Sequence, residues 1–275
     1  MSMLIVARQS KYEWELAKGT THQELCQRFS SAPEKLEAIL QSHESQVRVR
    51  EELASLTSAE MRMLGEIHEP LAHDLVISLG GDNSFTYVSH YVTGVLMGVN
   101  ADPGRSAGAL CSWSSADLGA VVRAAQGEYR VEAWPRLIAD VNGVAMLPAT
   151  SEYFLGERER LQMSRHLLRY RGTEYDQKGS GLLIATGAGS TGWYRSYGSA
   201  FPRTESRAGI ALTEPFIAAG LSLGELLPGE AIEVVSLNDS EGIVSCDSWQ
   251  SVPFPSGAVA TVRIAETALR VAVPR

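Results

Sequence analysis

Residues 74–79, Asp-Leu-Val-Ile-Ser-Leu, run straight into Gly80-Gly81, and this junction restricts the fold more than any other feature of the chain. A continuous run of Leu, Val and Ile has no polar face, so as a strand it is buried on both sides, as in a parallel sheet covered by helices. The paired glycines then close the strand in a turn without side chains.

Neighbouring segments follow the same plan. Residues 3–7 and 95–99 are short apolar runs with the form of buried strands. Ser31-Ala32-Pro33-Glu34 has the form of a helix start, with Ser31 as the cap, an early proline and Glu34 three residues after the serine. Leu36, Ile39, Leu40 and Val47 continue at helical spacing; a helix through Leu53 and a break near residues 47–49 are both compatible with the pattern. Residues 85–92 have helical character. This alternation predicts an α/β layer over roughly the first 110 residues.

The pattern changes after Gly108. Apart from a helical stretch at 116–126, the chain breaks into short strand candidates: 130–139, 144–147, 153–155, 165–170, 181–186, 231–237, 242–246, 258–264 and 269–273. Asn142-Gly143 is a type I′ hairpin signal. The expectation is an α/β domain over residues 1–107 and an all-β domain over residues 108–275.

A chain of 275 residues with 44% hydrophobic content can build a substantial core. Its net charge of -8 argues against nucleic acid as the main partner, since phosphate neutralisation needs clustered Lys and Arg. The Arg-rich stretch at 158–171 is broken by Glu, Leu and Met and reads as a solvated face. Cys26, Cys111 and Cys246 are widely spaced, so neither a disulfide framework nor a zinc site is expected. No segment approaches transmembrane length, and a cytoplasmic protein is the default expectation.

Three segments could carry chemistry. In Gly80-Gly81-Asp82-Asn83, bare backbone after a parallel strand can approach a phosphate, with the amides of a following helix facing it. Asp82 could orient or deprotonate a hydroxyl, or hold a metal; it could equally be a helix cap. Residues 179–193 carry a strand into a turn of small residues, Thr186-Gly187-Ala188-Gly189-Ser190-Thr191-Gly192-Trp193. Gly187 to Gly192 spells GxGxxG, but the segment after it is too short for the helix of a dinucleotide-binding βαβ unit. Ala188-x-Ser190-x-Gly192 loosely resembles a hydrolase elbow, yet no His follows Ser190. In Ala149-Thr150-Ser151-Glu152, Glu152 could contact a sugar hydroxyl or be an ordinary strand residue. The histidines show no metal spacing, and there is no GxxxxGK[ST] segment.

In this order the three segments resemble the NAD kinase family, which carries a Gly-Gly-Asp-Gly turn, an Asn-Glu pair and a Thr-Pro-Thr-Gly-Ser-Thr-Ala-Tyr-like stretch. Residues 98–106, 151–157 and 180–182, and Lys11-Tyr12-Glu13-Trp14-Glu15, are most similar to the branch that includes the animal mitochondrial NAD kinases. The resemblance implies an N-terminal Rossmann-like α/β domain and a C-terminal β-sandwich domain with the active site between them. It implies transfer of the ATP γ-phosphoryl group, with Mg²⁺, to the adenosine ribose 2′-hydroxyl of NAD, by a homodimer or higher homo-oligomer without nucleic-acid or membrane partners. By analogy, Asp82 would act on the hydroxyl, and Gly80, Gly81 and Asn83 would approach the phosphates. Asn100 would shape the donor-side loop, and Ser151 and Glu152 would meet the acceptor. Ser190, Thr191 and Trp193 would line the dinucleotide site, with Asp247 near it. The sequence departs from the family pattern at Asn83, where Gly is usual, at Ser151 for Asn, and at Ala188 for a hydroxyl residue. Asn83 tolerates a left-handed backbone, so the turn can survive, but its side chain takes space near a donor phosphate.

Overall fold

The apolar run before the glycine pair forms an interior strand of a parallel sheet. In the computed structural model, which describes residues 2–159, 161–216 and 223–275, the strands β1 (Met3–Ala7), β2 (Glu60–Met63), β3 (Leu75–Gly80) and β4 (Val95–Asn100) lie in the order β2-β1-β3-β4. All three pairings are parallel. The chain steps from β1 to β2 on one side, then returns to place β3 on the other. Such a reversal of strand order opens a crevice at the carboxyl ends of the two inner strands, where open α/β sheets bind ligands.

Helices cover both faces of this sheet, as the two-sided burial of β3 requires. Helices α1 (Lys11–Ala17) and α2 (His22–Arg28) each begin with a capping box, Ser10 with Glu13 and Thr21 with Glu24. Helix α3 (Pro33–Thr57) is unbroken, which settles the alternatives left by its periodicity. Its cap is Ala32, with no side-chain bond, so Ser31 is not the capping residue. Val49 and Leu53 of α3 and Val121, Ala124 and Ala125 of α5 (Leu118–Ala125) pack with Ile77, Leu79, Met97 and Val99. On the opposite face, α4 (Asp82–Ser89) lays Phe85 over Gly98, where an added Cβ would lie 2.8 Å from the ring.

The chain divides into two compact units, residues 1–131 with 271–275, and residues 132–270. The division falls at Val131 rather than after residue 107 because Trp113, in β5 (Trp113–Ser114), and α5 belong to the core of the first sheet. The stretch at 130–139 is two strands, β6 (Arg130–Trp134) and β7 (Leu137–Val141), separated at Pro135-Arg136.

The second unit is a sandwich of antiparallel sheets. Its remaining strands are β8 (Val144–Ala145), β9 (Glu152–Glu157), β10 (Ser164–Tyr170), β11 (Thr173–Gly179), β12 (Gly181–Ala185), β13 (Ala208–Thr213), β14 (Leu223–Leu226), β15 (Ala231–Ser236), β16 (Gly242–Cys246), β17 (Gln250–Pro253) and β18 (Val259–Ile264). One sheet runs β11-β10-β15-β18-β7-β8 and the other β14-β13-β12-β9-β16-β17. Alternate residues meet in a shared core: Leu168, Val234 and Val262 from one sheet, Tyr153, Leu155, Ile184 and Val244 from the other. Strand β12 is buried throughout because its outer face is also covered, with Leu183 and Ala185 under Tyr194 and Phe201. Asn142 and Gly143 both have positive φ, 51° and 80°, as the type I′ turn between β7 and β8 requires.

The last strand, β19 (Leu269–Val273), neighbours β4 and β6 at the edge of the first sheet. Among the described residues no helix is long and apolar enough to cross a membrane.

The burial of β3 leads to an expected outcome. Ile77, fully buried, replaced by Ala should lower the unfolding free energy by about 2–5 kcal/mol, read as a shifted urea midpoint of the tryptophan signal. A loss under about 1 kcal/mol, less than the low end for such truncations, would contradict the interior placement of this strand.

Candidate active site

A crevice of about 310 Å³ opens at the strand reversal. Arg8, Gln9 and Lys11 line it beyond β1, Gly80 and Gly81 at the end of β3, and Asn100, Ala101, Asp102, Arg105 and Ser106 at the end of β4 and in the loop after it. A side chain at Gly80 would collide with Ser84, and one at Gly81 would displace the Ser106 hydroxyl. A Cβ on Gly80 would lie 2.3 Å from Ser84 Oγ, and one on Gly81 2.9 Å from Ser106 Oγ. Bare backbone therefore leads into the start of α4, whose first amides have no intrahelical acceptor. Asn100 shapes the adjoining loop: its Nδ2 donates to Ser106 O at 2.8 Å, and its Oδ1 accepts from Asp102 N at 3.1 Å. Gly108, with φ 55°, packs so closely on this amide that a Cβ would lie 2.4 Å from Nδ2.

Asp82 opens α4 but does not cap it; the cap position is Gly81. Its carboxylate instead reaches the same loop, accepting from Leu110 N at 2.7 Å through Oδ1 and from Ala109 N at 3.0 Å through Oδ2. Asn83 is exposed and helical, with no positive φ. Its tolerance of left-handed backbone, expected to preserve the turn, is thus not called upon.

In the second unit the two remaining segments gather at the carboxylate of Asp247, one by direct hydrogen bonds and the other through Thr186 and Thr150. Asp247 lies in the turn between β16 and β17 with φ 47°. It accepts from Thr150 N at 2.8 Å, Ser151 N at 2.9 Å and Glu152 N at 2.9 Å. Thr186 Oγ1 donates to Thr150 O at 2.6 Å and accepts from Ala188 N at 3.1 Å, which ties the small-residue turn to the same strand start. Gly189 is needed at that contact, since a Cβ would lie 2.3 Å from Ser151 O.

A pocket of about 210 Å³ results on the outer face of this sheet, lined by Glu152, Phe154, Arg158, Trp193, Ser245 and Asp247 among others. Trp193 and Phe154 lie with ring centroids 4.9 Å apart at an interplanar angle of 32°. The Ser151 hydroxyl donates to the Glu152 carboxylate. Burial pushes the Glu152 carboxyl up to about 7; the Ser151 hydrogen bond opposes this and the nearby Asp247 charge adds to it. The pocket can therefore present a carboxyl that either donates or accepts near neutral pH, beside an aromatic face and a guanidinium.

Of the residues the resemblance points to, Asp82 and Asn83 are absent from the crevice lining, and Ser151, Ser190 and Thr191 from the pocket lining. Ser190 is fully buried; its Oγ lies 2.8 Å from Gly187 O and accepts from Phe201 N at 3.0 Å, so it braces the turn rather than lining the pocket. Thr191 is exposed and outside the lining. Residues not anticipated from sequence are Arg8, Arg105 and Ser106 in the crevice and Phe154, Arg158 and Ser245 in the pocket. Arg8 follows a buried strand as Gly81 does, a signal visible only when both strand ends are read together.

Among solved structures, the chain matches the crystal structure of an NAD kinase from Archaeoglobus fulgidus in complex with ATP. The TM-score is 0.70 at 19% sequence identity, over 98% of this chain and 92% of that chain. This likeness establishes an NAD kinase-like fold, an α/β part joined to a β-sandwich. No protein-family model and no curated protein matches the sequence.

The raised Glu152 carboxyl has a stability consequence. An acid that holds its proton more tightly when folded destabilises the fold as pH rises from its ordinary value of 4.5 to about 7, and no further above that. Glu152→Gln should remove this loss, so the melting temperatures of the two proteins should diverge across that window with the wild type falling behind. Parallel curves would show that Glu152 ionises as if exposed.

Proposed function

We propose that the protein is an NAD kinase, transferring the γ-phosphoryl group of ATP to the 2′-hydroxyl of the adenosine ribose of NAD. The observation that carries this reading is the bare Gly80-Gly81 turn with Asp82 behind it, at the strand reversal of a fold matched over 98% of the chain by an NAD kinase in complex with ATP. The resemblance of residues 98–106 and 151–157 further supports the branch of the animal mitochondrial NAD kinases, and an assembly of at least two copies.

Phosphoryl transfer depends mainly on positioning and on neutralising charge. The turn amides and the start of α4 would hold phosphate oxygens. Asp82 would orient the ribose hydroxyl and receive its proton. A carboxylate has about four acceptor sites, so the bonds from Ala109 and Leu110 fix its direction without exhausting it. Glu152 would meet a ribose hydroxyl, with Phe154 and Trp193 beside the dinucleotide. Mg²⁺ would arrive on the donor phosphates and neutralise part of their charge. Asp102, which lines the crevice with its carboxylate already bonded by the Ser42 hydroxyl and near Arg105, is the crevice's acidic residue that could offer such an ion an oxygen ligand.

A weakly active or non-catalytic NAD(P)-binding protein is the second reading. It is favoured by the engagement of both Asp82 oxygens with backbone amides. NADP formation from NAD, ATP and Mg²⁺, coupled to an NADP-specific dehydrogenase, separates the two. Wild type should turn over, and Asp82→Asn should lose ~10²–10⁴-fold in rate with an unchanged circular dichroism spectrum. A loss below about tenfold, short of what a general base supplies, removes Asp82 from that role. NAD binding without turnover selects the second reading.

A further inference from the structure

We propose that Cys26 is a nucleophilic thiol, served by His22 as base and by Tyr12 as the group that orients that base, and that it forms mixed disulfides with low-molecular-weight disulfides. This modification site is independent of the kinase reading.

Three helices of the first unit build the cluster. His22 and Cys26 stand one helical turn apart on α2, so their side chains share one face. Cys26 Sγ lies 3.4 Å from His22 Nε2, and the cysteine is exposed. The other ring nitrogen of His22, Nδ1, lies 3.3 Å from the Tyr12 hydroxyl on α1. Tyr12 is braced in turn by α3: its ring lies 5.1 Å from that of His43, whose Nδ1 is 2.9 Å from Ser10 Oγ at the start of α1.

A thiol nucleophile needs a base within hydrogen-bond reach and a third group that sets the direction of the base. A tyrosine hydroxyl accepts as well as donates. By accepting from Nδ1–H of His22 it leaves Nε2 without a proton and facing the thiol. In the exchange the Cys26 S–H proton passes to Nε2, and the sulfur bonds to one sulfur of the incoming disulfide. The S–S bond of that disulfide breaks, and its departing sulfur takes the proton from the imidazolium and leaves as a thiol. Cys26 is also the most accessible of the three free thiols. Cys111 is only partly exposed, and Cys246 is fully buried, with burial pushing its thiol up.

The test is the rate of adduct formation by the full chain with oxidised glutathione near neutral pH, read by intact mass and peptide mapping. Wild type should gain an adduct on Cys26 that dithiothreitol releases, and Cys26→Ser should not gain it. A free thiol is already partly ionised near neutrality, so His22→Gln should slow the reaction by about tenfold, below the full range for a general base. Tyr12→Phe keeps the ring against His43 and should fall between the two. Circular dichroism should be unchanged in each variant. Both deficits should close above about pH 8.5, where a free thiol ionises unaided; a merely structural loss would persist there. A wild-type rate in His22→Gln or in Tyr12→Phe, deficits that persist at high pH, or an adduct carried by Cys111 in place of Cys26 overturns the proposal.

Discussion

The register of β3 between its two parallel neighbours governs the first unit. A strand buried on both faces cannot slip by one residue without exchanging every side chain between faces. Leu75, Ile77 and Leu79 meet α3 and α5, while Gly80 on the other face meets Ser84 of α4. The same register sets Gly80 opposite Asn100 and Leu79 opposite Ala7, so the ends of three strands come level. The turn after β3, the loop after β4 and Arg8 after β1 therefore surround one crevice because a hydrophobic strand has a single acceptable position.

Carboxylates hold loops in place in both units by accepting backbone amides. Asp82 gathers the amides of Ala109 and Leu110, and Asp247 those of Thr150, Ser151 and Glu152. Loops that carry function need such anchors, since they lack the ladders of a sheet. The two acids differ in what they leave for a ligand. Asp247 is buried and holds the backbone amides that lead into Glu152. Asp82 is only half-buried and stands immediately after the glycine turn.

Much of this was legible in the sequence where one residue type answers one physical demand. The apolar run closed by two glycines identifies the central strand, and Asn142-Gly143 identifies a hairpin. The segments at 149–152 and 186–193, singled out by their small and polar residues, and Asp247, pointed to by the resemblance, come together in the second unit. Signals that depend on partners were harder to read. The capping boxes at Ser10 and Thr21 were present in the sequence, but the short helices they start carry little periodicity. Strand β11, Thr-Glu-Tyr-Asp-Gln-Lys-Gly, has a polar outer face and buries little beyond Gln177 and Gly179. Ser190 looks like a site residue because hydroxyls in glycine turns often are; only the packing of Phe201 against it reveals a brace. Arg8 carries no motif at all, and its position matters only because β1 and β3 are adjacent.

The central proposal is that the protein transfers the γ-phosphoryl group of ATP to the adenosine ribose 2′-hydroxyl of NAD. The most direct measurement is phosphorus NMR of the purified protein with NAD, ATP and Mg²⁺. The account predicts a growing phosphomonoester resonance from the ribose 2′-phosphate, matched by loss of the ATP γ signal and appearance of ADP. Persistence of intact NAD and ATP, or conversion of ATP to ADP and free phosphate alone, would contradict it.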